Sequence, residues 1–156
     1  MTADADPENT LFVETSTGRL TIALRPDLAP NHVARIKELA RQGFYDGVVF
    51  HRVIDGFMAQ TGDPTGTGTG GSGKRLNAEF SREPHVRGVV SMARAADPDS
   101  GDSQFFICLD DARFLDGQYT VWGQVIDGMV AVDRIKRGEP VVDPDRIVSL
   151  KVAADE

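Results

Sequence analysis

The sequence predicts a mainly β domain whose short strands curl into a closed antiparallel barrel, with two helices packed against it. Three observations carry that expectation. Apolar and polar residues alternate in many short runs, the period-2 signature of strands with one buried face. Sixteen glycines and eight prolines punctuate those runs, which favours strands and turns over a helical bundle. Only two segments show helical spacing, and closure into a barrel removes the exposed edges that many short strands would otherwise leave.

Taken in order, residues 1–9 are polar and acidic and are expected to be disordered, ahead of one domain over 10–156. Leu11 and Val13, then Leu20, Ile22 and Leu24, alternate around Thr15-Ser16-Thr17-Gly18, a hairpin signal. Val33, Ile36, Leu39 and Ala40 recur at helical spacing between Pro30 and Gly43. Proline suits a first helical turn and glycine the position after the last, so a helix is predicted over 30–42. Strand candidates follow at 48–53, 57–60, 88–92, 105–109 and 119–125. A second helix is predicted over 128–137, with Asp127 as N-cap and Gly138 beyond its end. Val148, Leu150 and Val152 alternate into a last strand.

At 156 residues the chain fits one domain with a core that needs no staples. A formal charge of −7 argues against nucleic acid or an anionic membrane surface as partner. The single Cys108 has no internal disulfide partner and, inside the apolar run 105–109, reads as a small buried thiol. The start MTADADPENT has neither the basic nor the apolar region of a secretory signal. No apolar stretch approaches the roughly 20 residues needed to span a bilayer. A cytoplasmic location is therefore expected.

Two apparent motifs fail on context. Gly66, Gly68 and Gly71 match G-x-G-x-x-G, and Gly68, Gly73 and Lys74 come close to a Walker A loop. Yet Arg75 stands where Ser or Thr should hold magnesium, Thr61-Gly62-Asp63-Pro64 replaces the buried strand, and no helix pattern follows. The segment reads as a long flexible loop with glycines at positive φ. His32, His51 and His85 form neither a metal motif nor a nucleophile pairing, so each reads as structural or exposed, and no metal or cofactor is expected.

The informative residues lie in FHRVIDGFMAQTGDPTGTGTGG, residues 50–71, and SMARAADPDSGDSQFFICL, residues 91–109. Strand alternation puts Met58 and Gln60 on one face, and Gln104 and Phe106 on one face of a second strand, with Phe105 and Ile107 turned the other way. Phe, Met and Gln on faces opposite aliphatics suit a groove floor better than a solvent surface, and Arg52 adds one cation at its rim. Together the two segments closely resemble the cyclophilin-type peptidyl-prolyl cis-trans isomerases, and the resemblance runs over about residues 10–152. It implies a closed eight-stranded antiparallel β-barrel capped by two α-helices. By the same resemblance Arg52 is the catalytic arginine, and Gln60 orients it and contacts substrate backbone. Phe57, Met58, Phe106 and Leu115 match the walls of a proline pocket. Ala93, Arg94 and Ala95 match an extended stretch that pairs with the residues before proline, and Gln104 borders the groove.

Three positions depart from the family pattern. Phe114 stands where many members carry Trp, Tyr119 where they carry His, and Arg94 where they carry Asn. Phe114 keeps an apolar wall but loses an indole donor, so cyclosporin-type ligands are expected to bind with reduced affinity. Tyr119 keeps a ring and a polar tip and is retained as a groove residue. These changes, with the short connection between Gln42 and Val48, resemble a bacterial cytoplasmic type. The implied activity is cofactor-free isomerisation of X-Pro bonds in proline-containing unfolded or flexible polypeptides, by a monomer. A proline-peptide-binding chaperone module without turnover is the alternative; retention of Arg52 together with Gln60 favours the enzyme.

Overall fold

The predicted first hairpin forms from β1 (Thr10–Thr15) and β2 (Gly18–Leu24), in register from Thr10 opposite Ala23 to Thr15 opposite Gly18. The computed structural model describes residues 6–156. Its other strands are β3 (Arg52–Ile54), β4 (Met58–Thr61), β5 (Val89–Met92), β6 (Phe105–Cys108), β7 (Val121–Asp127) and β8 (Ile147–Val152). They form one antiparallel eight-stranded sheet in the order β3-β4-β6-β5-β7-β2-β1-β8.

The expected closure of the barrel does not occur. The sheet curls but stays open between β3 and β8, where isolated bridges Val49–Arg146 and Val53–Gly138 replace a ladder. Residues 48–50, predicted as the start of β3, bond instead to the run entering β8: Ile147 donates to the Val48 carbonyl and Phe50 to that of Asp145, each at 2.8 Å. Between the two bridges lie Pro140 and Pro144, which lack an N–H, and Asp143, whose φ of 50° is not that of a strand. A continuous ladder cannot pass through them.

Helix α1 (Pro30–Arg41) ends as predicted. Gly43, at φ 71°, donates to Ala40 and the Phe44 N–H reaches back to the Leu39 carbonyl, the paired bonds of a Schellman cap. Its N-terminus is capped from a distance. The Glu79 carboxylate accepts from the backbone N–H of Asn31 and His32 at 3.1 and 2.8 Å, because Ala29 offers no side-chain cap.

Helix α2 is much shorter than predicted, spanning Met129–Asp133. Gly128, not Asp127, is its N-cap, and at φ 85° any Cβ there would collide with the backbone of Arg19 and Leu20 in β2. At the other end the Arg137 guanidinium takes the carbonyls of Asp133 and Ile135, both at 2.7 Å, and so competes with continuation of the helix. In β8 the register shifts opposite Glu14 and Thr15, so Val148 is left in a bulge and exposed while Ile147 turns inward. Of the segment expected to be disordered, residues 1–5 lie outside the described residues. Pro7–Asn9 form a short 3₁₀ turn capped by Asp6, and Glu8 pairs with Lys37 and Arg41.

Two apolar clusters result. The larger fills the curl of the sheet beneath α1, with Phe105, Ile107, Trp122, Ile36 and Leu150 fully buried. The smaller lies on the opposite face, where Met58, Val89, Phe106, Cys108, Ala112 and Val121 are buried under Phe57, Leu115 and Tyr119. No helix among the described residues is long and apolar enough to cross a membrane.

Candidate active site

The site is built on the strand alternation of β3, β4 and β6. Arg52 pairs with Gln60, and Gln60 with Phe106, across successive ladders. One cavity of about 110 Å³ gathers Arg52, Phe57, Met58, Gln60, Ala93, Arg94, Phe106, Leu115 and Tyr119. A neighbouring recess of about 440 Å³ is lined by Gln60, Ala93, Arg94, Ala95 and Gln104 together with Gly68–Gly71. Phe114 lines neither of these. It stands at the rim, 68% exposed, its ring 5.6 Å from that of Phe57. Every other groove residue expected from the sequence borders one of the two spaces.

The polar groups form a directed chain. The Gln104 amide nitrogen donates to the carbonyls of Gly68 and Gly70, both at 3.0 Å, which fixes its oxygen as the acceptor for Gln60 Nε2 at 2.9 Å. The Gln60 oxygen is then left to accept from Arg52 Nη1 at 3.3 Å. The orientation of both amides is thus set by two loop carbonyls. On its other side Arg52 donates Nε–H to Glu139 Oε2 at 2.7 Å, a partner with no signal in the local sequence.

The glycine-rich loop does not hang free. Asp63, fully buried, accepts from the N–H groups of Thr65, Thr67 and Gly68 and from the Thr65 hydroxyl. Burial alone would raise its pKa, but these bonds outweigh it and hold the carboxyl well below the ordinary range. Gly70 passes so close to Asp63 that a Cβ there would collide with the carboxylate. Asp102 anchors the loop's far end through Ser72 and Gly73. An Asp followed by alternating Thr and Gly is an Asx-turn signature, and that was the available signal for this hub.

The three histidines are all buried. His85 lies behind the groove floor, stacked 6.2 Å from Phe106, with Nδ1 3.0 Å from Asp116 and Nε2 2.9 Å from Ser91. That is the order of a hydrolytic triad, but Ser91 is wholly buried and out of reach of any substrate, so the set supports Phe106. Burial lowers the His85 pKa against the opposing pull of Asp116. Burial likewise lowers that of His51, with Arg52 adding to the effect and Asp63 opposing it. His32 is held by Glu79 at 2.6 Å. At the rim, Arg94 lies 4.6 Å over the Tyr119 ring and donates to the Gln118 carbonyl, which braces the side of the cavity. The Ala93 and Ala95 N–H groups are taken by the Gln104 carbonyl and the Ser100 hydroxyl. Part of the expected peptide-pairing edge is therefore occupied internally.

Known proteins resemble this chain over most of its length. The family model described as cyclophilin type peptidyl-prolyl cis-trans isomerase matches residues 10–152. A probable peptidyl-prolyl cis-trans isomerase of Brucella suis is 53% identical over 168 aligned positions, covering 97% of this chain and 86% of that protein. One from Synechococcus elongatus is 43% identical, covering 92% and 96%. Among solved structures, cyclophilin AquaCyp293 of Hirschia baltica superposes with a TM-score of 0.90 at 34% identity, over 97% of this chain and 76% of that one. A Cryptosporidium parvum cyclophilin-type isomerase, crystallised in the presence of the dipeptide Ala-Pro, gives a TM-score of 0.85 at 30% identity over 92% and 98%. With its eight-stranded sheet and its groove in place, the chain belongs to the cyclophilin-type peptidyl-prolyl cis-trans isomerases.

Proposed function

We propose that the groove turns over X-Pro bonds by gripping the proline ring in the cavity floored by Met58 and Phe106, with the Arg52 guanidinium directed at the prolyl nitrogen. Rotation about a peptide bond crosses roughly 18–20 kcal/mol because resonance is lost as the amide twists. In the twisted state the prolyl nitrogen pyramidalises and gains a lone pair, so a fixed cation there binds the transition state better than the planar ground state. One preorganised donor of this kind is worth about 2.7–4 kcal/mol. The rest comes from holding the ring in the groove while the acyl side turns.

The observation that carries this reading is Arg52 at the edge of the cavity floored by Met58 and Phe106, tied by Nη1 to Gln60 and by Nε to Glu139, with Nη2 left over for substrate. Arginine suits the role because it stays charged and offers several donors at once. The Cryptosporidium relative's crystallisation with Ala-Pro supports a proline-sized occupant. The substrates are proline-containing unfolded or flexible polypeptides, met by a monomer in the cytoplasm during protein folding. The 440 Å³ recess beside Ala93 and Ala95 receives the residues before proline. Cyclosporin-type ligands bind the same groove, weakened by Phe114.

Arg52→Ala is expected to lower kcat/KM on an X-Pro peptide by about 10²–10³, with much less change in peptide affinity. Exchange NMR on one peptide measures both quantities. A variant that isomerises near the wild-type rate would sink the mechanism.

A further inference from the structure

Arg52 sits between two supports that differ in kind. Gln60 reaches it from the paired position on β4 with a longer contact of 3.3 Å, in which its uncharged amide oxygen accepts from Nη1. Glu139 reaches it from the loop after α2 with a charge-assisted contact of 2.7 Å at Nε. That loop is stitched to β3 on both sides of Arg52. Gly138 and Val53 exchange two backbone bonds of 2.8 Å, and the Val141 N–H donates to the His51 carbonyl. Gly138, at φ 154°, has no room for a Cβ against Pro140 and Val141. The backbone therefore delivers a carboxylate to this one guanidinium.

We propose that Glu139 is a positioning residue for Arg52, holding the plane of its guanidinium so that the remaining donors face the cavity. The inference rests on the reading of Arg52 given above. Both partners are about half exposed, 41% and 57%, so the pair adds little to stability. Its effect is on orientation. A long arginine side chain has many rotamers, and a fixed partner narrows them. Fixing Nε sets the tilt of the guanidinium plane, and Gln60 at Nη1 then sets its rotation. The carboxylate also offsets part of the positive charge, but at such exposure solvent screens that term, and orientation dominates.

The test is a double-mutant cycle on one X-Pro peptide, with kcat and KM from exchange NMR and a melting curve for each protein. Glu139→Ala lowers kcat about three- to tenfold with KM within about twofold and Tm unchanged. Glu139→Gln recovers most of that loss, because its amide oxygen still accepts from Nε–H. In an Arg52→Ala background, Glu139→Ala changes nothing further, since the group it positions is gone. A Glu139→Ala enzyme as fast as wild type or faster, beside a crippled Arg52→Ala enzyme, overturns this proposal and leaves the Arg52 reading standing. A loss that persists undiminished in the Arg52→Ala background also overturns it. Arg52→Ala at the wild-type rate removes the reading of Arg52, and this proposal falls with it.

Discussion

β6 presents the same kinds of side chain to two different surroundings. Phe105 and Ile107 point into the main core, where Phe105 packs edge-on against Trp122 at 5.2 Å and Tyr45 at 5.5 Å. Phe106 and Cys108 point the other way, into the smaller cluster that floors the groove. Phe106 is only 4% exposed, yet its ring meets Tyr119 and His85 and borders a cavity. Adjacent phenylalanines thus divide two tasks. One secures the fold, and the other shapes the wall of an open cavity. Burial alone does not distinguish them; what lies beyond each ring does.

That division can be broken experimentally. Phe105→Ala is expected to cost about 3–5 kcal/mol of stability, the usual toll of emptying an aromatic site in a closed core. Denaturant unfolding measures it, and the surviving folded fraction should keep its specific activity. Phe106→Ala should cost less stability, because its site opens towards the groove, while kcat/KM on an X-Pro peptide falls by about tenfold or more. Equal stability losses with equal specific activities would erase the distinction between the two faces.

The smallest effect concerns the rim. Phe114→Trp should tighten a cyclosporin-type ligand by about tenfold, with peptide turnover within a few-fold. A neutral hydrogen bond contributes about 0.5–1.5 kcal/mol, and an acceptor otherwise left unpaired about 1–3. Calorimetric titration of both proteins reads this directly. Equal affinities would remove Phe114 from the ligand's reach, despite its position beside Phe57.

How much of this was legible beforehand depends on the range of the interactions. Period-2 alternation separated Phe105 and Ile107 from Phe106, because a strand's two faces are written locally. Pro30 and Gly43 marked the ends of α1 for the same reason. α2 was misjudged because its limits are tertiary: β2 crowds Gly128, and Arg137 claims the last carbonyls. Val148 looked inward-facing until a bulge, set by pairing with a distant strand, turned it out. The catalytic-looking pair of Arg52 and Gln60 came from resemblance to a family. Glu139, 87 positions from Arg52, could not be found from either source. Its place depends on a loop docking onto β3, and local pattern does not encode docking.

Cys108 shares the groove floor with Met58 and Phe106, and burial, aided by Asp116 and Asp111, pushes its thiol up to about 12. The thiol is thereby held protonated at neutral pH, and the thiolate is the form that peroxide and alkylating reagents attack. Burial and the raised pKa both disfavour oxidation of this sulfur, although it lies in the floor of the groove. Because Cys108 is wholly buried, reagents reach its sulfur only through local opening. The rate of Cys108 labelling therefore reports how often the floor of the groove opens.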